Sequence, residues 1–146
     1  MELRALYPED YPALYRLWAS CTGMGLNNLD DSEEGLTRFL QRNPTSCFAA
    51  VEDGQLIGAI LAGSDGRRGY IYHTAVHPGC QGRGIGRALV ERTLDALRAL
   101  GIHKVALVVF RRNEDGNAFW EAMGFTVRED ILYRNRTLDE MIRYDS

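Results

Sequence analysis

Apolar positions recur every three to four residues along some stretches of the chain and alternate along others, and the switches between these periods mark its elements. Residues 2–6 predict a first strand. Asp10 then offers a helix cap with Pro12 in the first turn, and Leu14, Leu17, Trp18 and Cys21 share one helical face. The pattern breaks over residues 22–30. Asp31, with Glu34 three positions on, has the form of a capping box and predicts a second short helix through Phe39 and Leu40 to about Gln41, ended by Asn43-Pro44.

Residues 47–52 and 55–62 are apolar runs joined by Asp53-Gly54, a dipeptide suited to a two-residue antiparallel hairpin. Tyr70 to Val76, rich in aromatic and β-branched residues, predicts a further strand. After a glycine-rich stretch, Gly84 to Leu100 places Ile85, Ala88, Leu89, Ala96, Leu97 and Leu100 on one helical face, and Gly101 ends it. Lys104 to Phe110 is apolar on both alternating faces, as an interior strand is. Strand, helix, strand in this order is a right-handed parallel crossover. Asn117 to Met123 predicts a last short helix before Gly124, and residues 125–128 and 131–136 a closing antiparallel pair. The expected fold is α/β (α+β): a single mixed, mostly antiparallel sheet with a central parallel βαβ unit and helices on both faces, one domain over residues 1–146.

Composition narrows the partners. With 17 Lys+Arg against 20 Asp+Glu the chain carries −3, and its pI of about 5.6 gives no general attraction to nucleic acid or to an anionic membrane. Cys21, Cys47 and Cys80 are odd in number and form no CxxC pair, so neither a disulfide framework nor a zinc site is expected. His73, His77 and Cys80 lie close in sequence, but Pro78 and Gly79 break any helix that would align them as metal ligands. The N-terminus lacks the charged and apolar blocks of a secretion signal, and the longest apolar run, Val105 to Phe110, is far short of a membrane span. These features predict a cytoplasmic protein.

The richest chemistry lies in Gln81-Gly-Arg-Gly-Ile-Gly-Arg87, between a strand end and the longest helix. A strand-to-helix turn aims free N–H groups and the positive end of the helix dipole at one spot, which suits a pyrophosphate. A dinucleotide fingerprint starting at Gly82 would need glycine at position 87, where Arg87 stands, and no GK[ST] follows to make a P-loop. The loop resembles instead the Q/R-x-x-G-x-G/A acetyl-CoA signature of the GNAT (general N-acetyltransferase) superfamily, with Gln81, Gly84 and Gly86 at its set positions. Ala75-Val-His-Pro78 is similar to that family's strand end, and Asn113 to Phe125 resembles its second motif, N-x-x-A-x-x-[LF]-Y-E-x-x-G-[FY]. Within the superfamily, the run from Gly63 to Pro78 resembles most the small bacterial branch labelled YpeA.

The resemblance implies that acetyl-CoA is the co-substrate and that its pantetheine arm lies where the strand Tyr70–Val76 and the next parallel strand splay apart, pairing with Ala75 and Val76. Its pyrophosphate would sit on the amides of Gly82, Arg83, Gly84, Ile85, Gly86 and Arg87, with Arg83 or Arg87 pairing to a phosphate. Asn113 would bond the pantetheine arm or, on local grounds, cap a helix.

Moving an acetyl group from a thioester to a primary amine requires a neutral amine, and lysine amines have pKa values of about 10.4. His73 is one candidate base, although alternation with Tyr72 and Thr74 leaves its direction open; carboxylates between Asn27 and Glu34 are another. The resemblance assigns the backbone N–H of Val76 to the developing oxyanion. It also exposes a departure: where the family carries a tyrosine that protonates the leaving thiolate, this chain has Trp120, whose indole supplies no proton at neutral pH. Either the acid is dispensable, because a thiol of pKa about 8.5 is already a fair leaving group, or Tyr72 or Tyr133 is the substitute; Trp120 is then a wall of the thioester channel. The expected function is acetyl-CoA-dependent N-acetyl transfer by direct attack in a ternary complex; the alternative is a module that binds acyl-CoA without turnover. The stretch 18–35 would shape the acceptor side, and an exposed final strand, 131–136, would allow a homodimer by edge pairing.

Overall fold

In a computed structural model that describes residues 1–144, five strands form one sheet in the order β1 to β5, with β1 Glu2–Ala5, β2 Phe48–Glu52, β3 Gln55–Ser64, β4 Gly69–Val76 and β5 Val105–Ala106. Neighbours are antiparallel except β4 and β5, which run parallel across helix α3 (Ile85–Ala99). Asp53 and Gly54 make the β2–β3 turn with φ of 51° and 75°, the conformation that matches strand twist in a two-residue hairpin. The expected fold class holds. No helix among the described residues is long and apolar enough to cross a membrane.

Two cores flank the sheet. On one face α1 (Tyr11–Ser20) and α2 (Glu33–Arg42) bury Leu14, Leu17, Trp18, Leu36 and Leu40; on the other α3 buries Ile85, Leu89, Val90 and Leu97. β3 is buried on both sides from Ile57 to Gly63, as the middle strand of a sheet covered twice must be.

Several local expectations change under tertiary contact. Ser32, not Asp31, caps α2, its hydroxyl accepting the Gly35 N–H at 3.0 Å. Asp10 makes no side-chain cap for α1; its carboxylate instead takes both Arg4 guanidinium nitrogens at 2.9 Å and the Tyr7 N–H. The last helix, α4, spans Glu114–Ala122 and starts three residues early because Asn113 caps it through Gly116 N–H at 2.9 Å. Of the expected strand Lys104–Phe110 only Val105–Ala106 pairs. Residues 125–128 and 131–136 form no strands, so the edge on which the expected homodimer rested is absent among the described residues. The reason is physical: a two-residue β5 is too short a ladder for a closing hairpin to register on, and Val127, Ile131, Leu132 and Tyr133 remain exposed.

The first turn of α2 also tests packing against propensity. A Cβ on Gly35 would run into the backbone carbonyls of Leu29 and Asp30. Alanine would favour the helix by about 1 kcal/mol, but overpacking against rigid backbone costs about 1–3 kcal/mol. Gly35→Ala is therefore expected to lower stability, by up to about 2 kcal/mol, in urea titrations, with the slope unchanged.

Candidate functional site

The site begins where β4 loses its neighbour. Gly69 and Tyr70 pair with β5, and among the described residues the edge of β4 from Ile71 to Val76 has no strand partner on that side. His77 N–H donates to Ile57 O at 2.8 Å, toward β3, and alternation then turns the Val76 N–H the other way, into the gap. The Val76 carbonyl faces the same side, accepting from Cys21 Sγ at 3.6 Å and Gln81 Nε2 at 3.5 Å. Ala75 carries its carbonyl toward β3, close to Gly58, so Thr74 rather than Ala75 joins Val76 in facing the gap.

A short 3₁₀ turn, Pro78–Cys80, leads to the glycine loop and α3. Gly84 caps α3 at φ 80° with no side-chain bond, and its carbonyl accepts the Ala88 N–H at 3.0 Å. The N–H groups of Ile85, Gly86 and Arg87 precede that first helical bond and point out of the helix end. Nothing lies within 4 Å of where a Cβ would stand on Gly82 or Gly84, so the loop presents an open backbone cradle at the positive end of a 15-residue helix. Ile85 contributes only backbone there, since its side chain is 2% exposed in the core. The two arginines part company. Arg83 reaches back to Glu52 through a two-pronged contact, 3.1 Å at one prong, which holds the Glu52 carboxyl below its ordinary value. Arg87 borders the cleft, with Glu91 3.6 Å away.

Across the gap, α4 supplies Asn113, whose side chain is engaged as the helix cap, and Trp120, which stacks edge-on between Phe119 (5.0 Å) and Phe125 (5.2 Å) while bordering the cleft. A Cβ on Gly86 would stand 3.3 Å from the Phe119 ring, so alanine needs that ring to shift by a few tenths of an ångström and the helices α3 and α4 pack closely here.

At the far end a β-bulge decides the direction that alternation left open. Ile60 pairs with Thr74 but Ala62 with Ile71, so Tyr72 and His73 together oppose one residue of β3. Both side chains therefore turn to the α1–α2 face. Tyr72 lies edge-on to Phe39 at 5.4 Å and beside Tyr70 at 4.6 Å. His73 meets the edge of Trp18 at 5.0 Å, and its Nε2 stands 2.8 Å from Asp31 Oδ1. Burial pushes the Tyr70 phenol up to about 12 and raises that of Tyr72. The sequence offers Asp31 as a helix cap and as one of several candidate carboxylates, but nothing in the local pattern signals a partner 42 residues away.

These elements enclose one continuous cleft of about 1620 Å³, lined by the glycine loop, β4, α4 and the Ser20–Asp31 segment, with Tyr133 at its rim. Single-ligand pockets run to about 300–1,000 Å³. Its volume exceeds that range, leaving room for a second ligand beside the first.

A sequence profile described as the acetyltransferase (GNAT) family matches residues 11–125. The chain is similar to an acetyltransferase of Sodalis glossinidius, 31% identical over 144 residues (99% of this chain, 100% of the relative), and to one of Pectobacterium atrosepticum, 31% identical over 140 residues (96% and 98%). In fold it is similar to a PaiA N-acetyltransferase of Thermoplasma acidophilum crystallised with coenzyme A, at a TM-score of 0.77 and 22% identity over 89% of this chain and 92% of that one. Profile, full-length relatives and fold agree with the open β4 edge and the glycine cradle: the chain belongs to the acetyltransferase (GNAT) family and is an N-acetyltransferase with acetyl-CoA as co-substrate.

Proposed function

We propose that the protein transfers the acetyl group directly to a primary amine held at the His73 end of the cleft. The observation that carries this reading is the continuity of the cleft from the open amides of the glycine loop, past the outward N–H of Val76, to His73. Acetyl-CoA supplies an activated thioester carbonyl. The amides of residues 82–87 and the Arg87 guanidinium would hold the pyrophosphate, because the loop backbone is open and Arg87 borders the cleft with only an exposed, 3.6 Å pairing to Glu91 to give up. Arg83, engaged by Glu52, is the weaker candidate of the pair. The backbone of Thr74 and Val76 would pair with the pantetheine amides as an added strand does.

Val76 N–H would donate to the carbonyl oxygen as it gains negative charge, a fixed dipole that needs no reorganisation. His73 would take the proton from the attacking nitrogen. One proton leaves nitrogen and one ends on sulfur, so a donor to the thiolate completes the balance. Trp120 cannot give up a proton; Tyr72 and Tyr133 both border the cleft and both are exposed, and Tyr72, held on β4 against Phe39 and Tyr70, is the better anchored donor. Asp30 and Asp31 beside the acceptor end favour a cationic amine.

Trp120 also motivates a second reading, a protein that binds acyl-CoA without turning it over. CoA thiol release decides between them. Release from acetyl-CoA is expected to require an added amine, tested with spermidine, lysine amide and a peptide with a free N-terminal alanine. Tight binding with no release from any acceptor would favour the second reading.

A further inference from the structure

We propose that Asp31 is a positioning residue that fixes His73 in the tautomer protonated at Nε2, leaving Nδ1 as the atom that accepts the amine proton. The proposal rests on the transfer reading above and adds to it the identity of the basic nitrogen and the group that sets it.

Asp31 is 5% exposed, and a carboxylate that far from water is retained only with its oxygens satisfied. Each oxygen has its own partner. Oδ2 accepts the Asn27 N–H at 2.8 Å, and Oδ1 faces His73 Nε2 at 2.8 Å. The backbone around it is held as well: Tyr11 Oη donates to the Asp31 carbonyl at 2.8 Å, and Asn27 Oδ1 accepts the N–H groups of Leu29 and Asp30 at 2.9 and 2.7 Å. Ser32 caps α2, so Asp31 is not consumed by the helix. An ionised carboxylate only accepts hydrogen bonds, so Nε2 must carry the proton and the neutral ring keeps its lone pair at Nδ1. Nδ1 has no hydrogen-bond partner among the described residues, and His73 borders the cleft. Trp18 fixes the ring plane from the side, and the bulge in β4 is what brings the ring to this face at all. In the transfer, the new C–N bond forms as the C–S bond breaks. The nitrogen's proton passes to His73 Nδ1, and a proton is delivered to the departing sulfur from the phenol side, which is recharged from the imidazolium through solvent.

The alternative is that the pair merely staples the Asn27–Ser32 loop to the sheet. Two substitutions at one position separate the cases. In Asp31→Asn the Asn27 N–H still demands an oxygen, so the new NH₂ must face Nε2 and the ring is driven to the Nδ1–H tautomer, with no lone pair toward the cleft. In Asp31→Ala the ring is free to take either tautomer, although the Asn27 N–H loses its acceptor. A staple alone predicts that alanine is the more damaging change. The proposal predicts the reverse for catalysis.

The test combines ¹⁵N-detected histidine spectra, assigned by His73→Gln, with steady-state CoA release using the fastest acceptor among spermidine, lysine amide and the alanine peptide. Expected are Nε2–H at His73 in the unaltered protein, Nδ1–H in Asp31→Asn, a fall in kcat of about 10²–10⁴-fold in Asp31→Asn, in the range of a lost general base, and a smaller fall in Asp31→Ala. KM for acetyl-CoA should stay within about twofold, since neither change touches the glycine loop. Nδ1–H in the unaltered protein, or alanine more damaging to kcat than asparagine, would overturn the role of Asp31. An unchanged kcat in His73→Gln would overturn the basic role of Nδ1 while transfer itself stands. Absence of release from the unaltered protein with every acceptor would overturn the transfer reading and this proposal with it, whichever tautomer the spectrum reports.

Discussion

Gly84→Glu is expected to weaken acetyl-CoA binding at least about 100-fold while leaving the protein folded. Gly84 caps α3 at φ 80°, where an L-residue costs about 1–2 kcal/mol of backbone strain. That strain alone would let the loop relax and lose part of its cradle. The glutamate then adds a negative charge at the helix end that receives phosphate. At 4 Å, two unit charges repel by about 1 kcal/mol in water and about 4 kcal/mol near a protein surface. At the near-surface value the repulsion alone exceeds the roughly 2.7 kcal/mol that 100-fold represents, and strain adds to it. Nothing stands within 4 Å of the added Cβ, so the fold itself should survive, as far-UV circular dichroism can check. Gly84→Ala isolates the strain and should cost no more than about 30-fold. Calorimetric binding unchanged within about threefold in Gly84→Glu would place the phosphates elsewhere.

The largest effect on stability is expected from Trp18→Ala, at about 3–5 kcal/mol. Trp18 is 1% exposed, at the centre of the core between α1 and the sheet. Its Nε1 has no hydrogen-bond partner among the described residues, so the cost is the cavity and the lost apolar contact. A domain of this size has about 5–15 kcal/mol in total, so the variant should unfold at well under half the urea concentration the parent tolerates if the parent lies at the low end. Trp18→Phe keeps most of the volume and removes the orphaned N–H. It should cost less than half as much as alanine. Equal losses in the two variants would mean that the indole nitrogen is engaged after all.

How far the site could be read beforehand follows from the range over which each feature is encoded. The loop from Gln81 to Arg87 was legible because its work is done by backbone within seven consecutive residues, and glycine there speaks directly about backbone. Asn113 was legible as a helix cap for the same reason. The choice between Arg83 and Arg87 was not. It depends on Glu52, which lies 31 residues from Arg83 and reaches it only once β2 and the loop stand side by side. His73 and Tyr72 could be named but not aimed, because a single extra residue in β4 reverses the alternation that would have aimed them. Asp31 differs for the opposite reason: its neighbours Ser32 to Gly35 form a genuine cap, shifted by one, and a local rule has no access to a histidine on another strand.

The elements with local causes are written into the chain directly: the Asp53-Gly54 hairpin, the amphipathic faces of α1 and α3, the glycine cradle, and with them the class of fold and the family. Periodicity and turn chemistry act over a few residues and survive in any context. The tertiary structure decided how far β5 pairs, that residues 125–136 add no strands, which arginine faces the cleft, and that Asp31 and His73 meet inside it. Those outcomes depend on which surfaces are left to pair or to bury once the core has formed, and a contact between residues 42 positions apart exists only after the sheet and its helices have closed around it.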